Sequence, residues 1–252
     1  VLYTEAIGNP TLVIADIPSI ARLAHDRRLQ LVVDNTFSPM ILSPHPLGAD
    51  VVVYSLTKFI NGSGDLIAGA ICANSEMAAR LMDMHTGRVM LLGPTLDPAV
   101  AFEIIQRLPH LAIRMREHGR RAMAVAERLE ALKTPVRYPG LPSHPQYAVM
   151  TAMMNREFGF GGMLNLDCKT RQKAEELMSI LQNRERFGLI AVSLGYYDTL
   201  MSCSGSSTSS EIPPEDQKTM GLSPGLLRMS IGYTGDLEAR SEERRVGKEC
   251  AT

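Results

Sequence analysis

Apolar positions along the chain alternate between two spacings. Ile17, Ile20, Ala21 and Ala24 recur at helical intervals behind Asp16, whose side chain can cap a first turn. Leu31-Val32-Val33 and Val51-Val52-Val53-Tyr54 are instead short, wholly apolar runs, the second led in by Gly48-Ala49-Asp50. Such runs suit strands of a parallel sheet that is covered on both faces. Residues 66–73 read as a further strand, and Val1-Leu2-Tyr3 as the middle of an earlier one. Helix and strand signals that alternate over 16–69 predict an open α/β sheet with helical crossovers. Ligands of such sheets sit beyond the carboxyl ends of the strands, where Asp34 and Ser55 fall.

Ser75 is the expected cap of a short helix that runs to about His85. Two long helices are expected over 97–108 and 111–132, with Pro109 as a break or kink between them. Strands over 136–138, 163–167, 189–192 and 226–231 mix with helices over 146–155 and 171–182 in a second lobe. The polar run 202–210 predicts a loop. The arginine-rich stretch 114–121 predicts the wet face of a helix. The expected division is a large domain over 1–108, a smaller α/β domain over 109–238, and a charged tail over 239–252. That tail has no apolar stripe, and it is expected to be disordered or foreign to the native chain.

A formal net charge of −1 over 252 residues argues against nucleic acid or an acidic membrane as partner. No apolar run approaches the roughly 20 residues of a membrane helix, and no signal peptide is evident. Cys72, Cys168, Cys203 and Cys250 are scattered without CxxC spacing, which suits free thiols in a reducing compartment and no metal site. A soluble cytoplasmic or organelle-stroma enzyme is therefore expected. His45, His110, His118 and His144 read as structural or solvated. Cys203 could be a reactive thiol, but nothing in the sequence lowers its pKa. A nucleotide-binding domain is disfavoured, because neither G-x-G-x-x-G after a strand nor G-x-x-x-x-G-K-[ST] occurs.

Three residues carry candidate chemistry. Lys58 ends Ser55-Leu56-Thr57-Lys58 at the mouth of an apolar strand, where burial lowers an amine's pKa and makes it a nucleophile for an aldehyde. The hydroxyls of Ser55 and Thr57 beside it suit phosphate oxygens. Asp34, at a buried strand end, needs a cationic partner, and a protonated pyridine nitrogen would serve. Arg228 alternates with Leu, Met and Ile in a strand, and its fork fits an amino-acid carboxylate. Each alone has an ordinary reading: surface lysine, helix-capping or arginine-paired aspartate, structural salt bridge. Together they point to pyridoxal phosphate (PLP), which requires both a Schiff-base lysine and an acidic partner for its ring.

The same residues carry a resemblance. Tyr3-Thr4-Glu5, Asn9-Pro10, Val33-Asp34-Asn35-Thr36, Gly48-Ala49-Asp50, Ser55-Leu56-Thr57-Lys58, Tyr138-Pro139-Gly140-Leu141, Gly161-Gly162-Met163, Val192-Ser193-Leu194-Gly195 and Leu227-Arg228-Met229-Ser230-Ile231-Gly232 are similar in order and spacing to the Cys/Met-metabolism PLP family. That family includes cystathionine γ-synthase, cystathionine β- and γ-lyases and methionine γ-lyase. Met115-Arg116-Glu117-His118, Leu194-Gly195-Tyr196-Tyr197 and the stretch 202–208 most resemble its plant methionine γ-lyase branch.

The resemblance implies a PLP fold-type I (aspartate-aminotransferase-like) α/β architecture, with a mostly parallel sheet and a smaller C-terminal α/β domain. It implies that Lys58 carries the cofactor and moves protons between Cα and its neighbours, while Asp34 keeps the pyridine nitrogen protonated. Ser55 and Thr57 would hold the phosphate, and Asn9 would lie near the cofactor's phenolic oxygen. Arg228 and Ser193 would clamp the substrate carboxylate, with Thr208 close by; Glu5 matches a family position of less defined role. The implied reaction is α,γ-elimination of L-methionine to methanethiol, ammonia and 2-oxobutanoate. A γ-synthase, cystathionine lyase or O-acylhomoserine sulfhydrylase would use the same residues, and an inactive truncated fragment is the alternative of a different class. Family members carry a longer N-terminal region with further cofactor contacts and assemble as homotetramers, dimers of dimers. The chain as written is therefore expected to bind PLP weakly or not at all.

Overall fold

The structure, a computed structural model, describes residues 1–204 and 213–235. Strands β1 (Leu2–Glu5), β2 (Leu31–Asp34), β3 (Val51–Ser55) and β4 (Gly69–Ala73) lie side by side in chain order. The first three are parallel, and β4 returns antiparallel to β3. Helix α1 (Ile17–Asp26) crosses between β1 and β2, and Asp16 caps it by accepting from the Ser19 amide at 3.1 Å. The other expected helical crossovers are absent: turns join β2 to β3 and β3 to β4. Pro39, Pro44 and Pro46 interrupt the first of these links, and an antiparallel return needs no crossover.

Helix α2 (Ser75–Met82) is capped by Asn74 rather than Ser75, with the Asn74 side chain accepting from the Met77 amide at 2.8 Å. It stops short of His85, where Asp83 takes over the following amides. A short helix, α3 (Arg88–Leu92), precedes α4 (Pro98–Arg107), and a 3-10 turn holding Pro109 leads into α5 (Leu111–Ala131).

The second sheet contains β5 (Val136–Arg137), β6 (Met163–Asp167), β7 (Leu189–Ile190), β8 (Leu200–Cys203) and β9 (Leu226–Ser230) in the order β5-β6-β9-β8-β7. Its pairings are antiparallel except that of β7 with β8. Helices α6 (Tyr147–Met153), α7 (Arg171–Asn183) and α8 (Pro214–Thr219) complete the described residues. Ser202 and Cys203, expected in a loop, belong to β8. That strand has a neighbour on each side and is buried along its length, so ladder bonding outweighs side-chain polarity. Residues 205–210 of the same expected loop, and the tail 239–252, lie outside the described residues.

Two apolar clusters form the interior. One gathers Leu12, Leu31, Ile41, Phe59 and Met150 around the first sheet; the other gathers Tyr138, Leu164, Leu181, Met201 and Leu227 around the second. Helix α5 belongs to both, with Leu111 and Met115 in the first and Ala122 to Leu129 in the second. Its arginines are not a wet face. Arg116 and Arg120 meet solvent, but Arg114 and Arg121 sit on the buried stripe with Leu111, Met115 and His118. Among the described residues no helix is long and apolar enough to cross a membrane.

Candidate active site

Asp34 and Ser55 end neighbouring parallel strands, so the site is laid out along one sheet edge. Asp34 Oδ1 accepts from the Thr36 amide at 2.9 Å, and Oδ2 accepts from the Tyr3 hydroxyl at 3.0 Å. Burial, then the hydrogen bond to Asp34, push the Tyr3 phenol up to about 12. Glu5 stands opposite Asp34 in the β1–β2 register. Burial raises the Glu5 carboxyl above its ordinary range, and the charge on Asp34 adds to the rise. Glu5 Oε2 accepts from the Asn9 amide at 2.7 Å.

Beyond Ser55 the chain folds into a tight turn. The Lys58 amide donates to Ser55 O at 3.3 Å, the Asn61 amide to Leu56 O at 2.8 Å, and the Gly62 amide to Lys58 O at 2.8 Å. Thr36 Oγ1 accepts from the Ser55 amide at 2.8 Å, which binds the start of the turn to the end of β2. The Thr57 hydroxyl accepts from the Ala68 amide at 3.0 Å and donates to Ala68 O at 3.3 Å. Phe59, fully buried, anchors the turn in the first core. Lys58 stays half-buried, and its Nζ donates to Ser193 Oγ at 3.2 Å. Burial lowers the Lys58 pKa, and the cation on Arg228 lowers it further.

Arg228, in β9, is 2% exposed. Its Nη1 donates to Asn9 Oδ1 at 2.9 Å and its Nη2 to the Ser193 carbonyl at 3.3 Å, both neutral acceptors. Burial alone lowers its pKa to about 10, with no carboxylate among the described residues to oppose it. Ser193 leads into Leu194-Gly195, which packs on the lysine turn. Gly195 has φ +74, and a Cβ there would lie 2.7 Å from Phe59 Cα and 2.8 Å from Lys58 C. Its amide donates to Ser230 Oγ at 2.9 Å, tying the segment to β9.

The structure thus brings together Lys58, Ser193, Arg228 and Asn9 by direct hydrogen bonds. It reaches Asp34 through Glu5 and Asn9, and Ser55 through Thr36. Thr57 is beside them, with its hydroxyl engaged by Ala68. Thr208 lies outside the described residues. Cys203 is buried, and its thiol donates to Pro224 O at 3.5 Å, away from these groups. Among the described residues no group of three His, Cys, Asp or Glu side chains could hold a metal.

Sequence reasoning missed two supports of the lysine turn. Arg107 holds Asp65 through two bonds, at 2.7 and 3.0 Å, and Arg114 donates to the carbonyls of Phe59 and Ile60. The helical phase of Arg114 was the available signal, since it falls three residues after Leu111 and four before His118 on the apolar stripe.

The family model described as Cys/Met metabolism PLP-dependent enzyme matches residues 1–239. A methionine gamma-lyase from Arabidopsis thaliana is 55% identical over 240 residues, which are 95% of this chain and 54% of that protein. A cystathionine gamma-lyase from Dictyostelium discoideum is 36% identical over 237 residues, 92% of this chain and 58% of that one. The chain therefore spans little more than half the length of these relatives. The solved cystathionine gamma synthase from Xanthomonas oryzae pv. oryzae, in complex with aminoacrylate and cysteine, superposes with a TM-score of 0.87 at 31% identity. That match covers 98% of this chain and 62% of the other. On sequence and fold, the chain belongs to the Cys/Met metabolism PLP-dependent enzyme family.

Proposed function

We propose that this site serves a PLP-dependent carbon–sulfur lyase that converts L-methionine by α,γ-elimination into methanethiol, ammonia and 2-oxobutanoate. One observation carries the reading: a buried guanidinium without a carboxylate partner among the described residues shares Ser193 with an amine whose pKa is lowered. A buried cation of that kind is a standing demand for an anion. A substrate carboxylate answers it and places the amino acid's Cα within reach of Lys58.

The residues fit the cofactor. Each Asp34 oxygen accepts one donor and keeps lone-pair capacity for a ring N–H. The Ser55 hydroxyl has no hydrogen-bond partner among the described residues; Thr57 can donate to a phosphate by giving up its long contact with Ala68 O. Lys58 keeps donor directions free beyond Ser193. When bound, PLP supplies an aldehyde for an amine and a ring that stabilises negative charge at Cα. Lys58, whose pKa is lowered by desolvation and by the neighbouring Arg228 cation, removes the Cα proton and delivers or removes protons at the neighbouring carbons. Arg228 and Ser193 fix the carboxylate, and with it the face of Cα turned to Lys58.

The 55% identity to a methionine gamma-lyase favours that substrate. The fold match to a cystathionine gamma synthase supports a second reading, replacement at Cγ instead of elimination. Product analysis of the reconstituted protein separates them. Methionine yielding methanethiol and 2-oxobutanoate is the expected result; cystathionine formed from cysteine and an activated homoserine, without methanethiol release, would overturn it.

A further inference from the structure

Arg114 is a buried guanidinium that serves main-chain carbonyls. Nη1 donates to Phe59 O at 2.5 Å, and Nη2 donates to Ile60 O at 2.7 Å and to Arg107 O at 3.3 Å. Burial lowers its pKa, the Tyr233 hydroxyl opposes that fall, and the Arg107 cation adds to it. Both anchored carbonyls belong to the two residues that follow Lys58 in the turn. Gly62, at φ +76, closes the same turn, and a Cβ there would collide with the Arg114 guanidinium. One helical turn further along α5, the His118 ring meets Phe59 edge-on at 5.1 Å, and its Nδ1 lies 2.5 Å from Ile231 O, just past β9. The helix therefore holds the turn that carries Lys58 and the strand that carries Arg228 at a fixed separation.

We propose that Arg114 is a positioning residue for Lys58, which clamps the Phe59 and Ile60 carbonyls so that the amine stays desolvated against Ser193 and Arg228. The forked guanidinium is the part that matters, since an ammonium cannot hold two carbonyls at one geometry. The inference rests on Lys58 being the reactive amine of the site.

The experiment is competitive acetylation of lysine amines across pH in the protein without added cofactor, read by mass spectrometry and paired with thermal melts. Wild type, Arg114→Lys, Gly62→Ala and Arg121→Lys are compared. Arg121 is the control because it also donates to two backbone carbonyls, Thr234 O at 2.7 Å and Gly235 O at 2.6 Å. In wild type, Lys58 should acetylate at lower pH than the exposed Lys133 and Lys173. Arg114→Lys and Gly62→Ala should move the Lys58 profile up to theirs, whereas Arg121→Lys should lower the melting temperature and leave that profile in place. An unchanged Lys58 profile in both Arg114→Lys and Gly62→Ala overturns the proposal while leaving the reading of Lys58 intact. A wild-type Lys58 that acetylates together with Lys133 and Lys173 overturns both.

Discussion

The Lys58 amine donates to the Ser193 hydroxyl at 3.2 Å, a contact across 135 positions of sequence. Ser193 also accepts from Arg228 through its carbonyl at 3.3 Å, so one residue touches both the amine and the guanidinium. Ser193→Ala removes an acceptor that favours the charged form of Lys58, and the amine's pKa should fall further. The pH profile of Lys58 acetylation measures this directly. A profile unchanged from wild type would mean that the contact does not bear on the amine.

Arg228 separates stability from function. Arg228→Lys keeps a charge but loses the fork, which should weaken carboxylate binding by about 1.5–3 kcal/mol, a roughly 10- to 150-fold rise in KM for the amino acid. Arg228→Met should lose more binding yet melt at or above the wild-type temperature, since a buried cation without a carboxylate partner among the described residues contributes little to folding. A drop of many degrees in Arg228→Met would instead make Arg228 a structural residue.

His118 sets the response to acid. It is fully buried, and burial, helped by Arg114 and Arg121, lowers its pKa to about 4. Bonding to Ile231 O and the charge on Glu117 oppose that fall. The unfolded chain therefore takes up this proton first, near pH 6.5. The associated stability is present above that pH and is lost as pH falls toward 4, by up to about 3 kcal/mol. His118→Phe keeps a ring against Phe59 and Tyr233 but cannot be protonated. Its melting temperature should decline less steeply than that of wild type between pH 6.5 and 4.5, and equal slopes would reject the assignment.

Gly195→Ala tests how closely the two halves of the site fit. The new Cβ meets Phe59 Cα at 2.7 Å and Lys58 C at 2.8 Å, and the position has φ +74. Left-handed strain and overpacking together should cost about 2–4 kcal/mol in denaturant melts, with amino-acid turnover lost because Lys58 is displaced. Near-wild-type stability would show that the 193–195 segment yields easily.

The strands that end at Asp34 and Ser55 were legible because both are apolar runs that end in polar residues. The burial of Arg228 in a strand was legible because the arginine alternates there with Leu, Met and Ile. Arg114 was not: it lies in a stretch so rich in charge that the composition hid its helical phase. Ser202 and Cys203 read as a loop because side-chain polarity says nothing of a strand whose both edges are paired. The antiparallel return of β4 left no mark either, since an apolar run carries no direction. What the sequence could not convey was which helix face and which sheet edge each polar residue would occupy.

Adding limiting PLP, reducing with borohydride and mapping the modified peptides shows whether Lys58 is the amine that takes the cofactor. Pyridoxyl is expected on Lys58 ahead of exposed lysines such as Lys133 and Lys173, together with an absorbance band near the visible edge before reduction. Pyridoxyl spread over the exposed lysines, with Lys58 unmodified, would contradict that expectation.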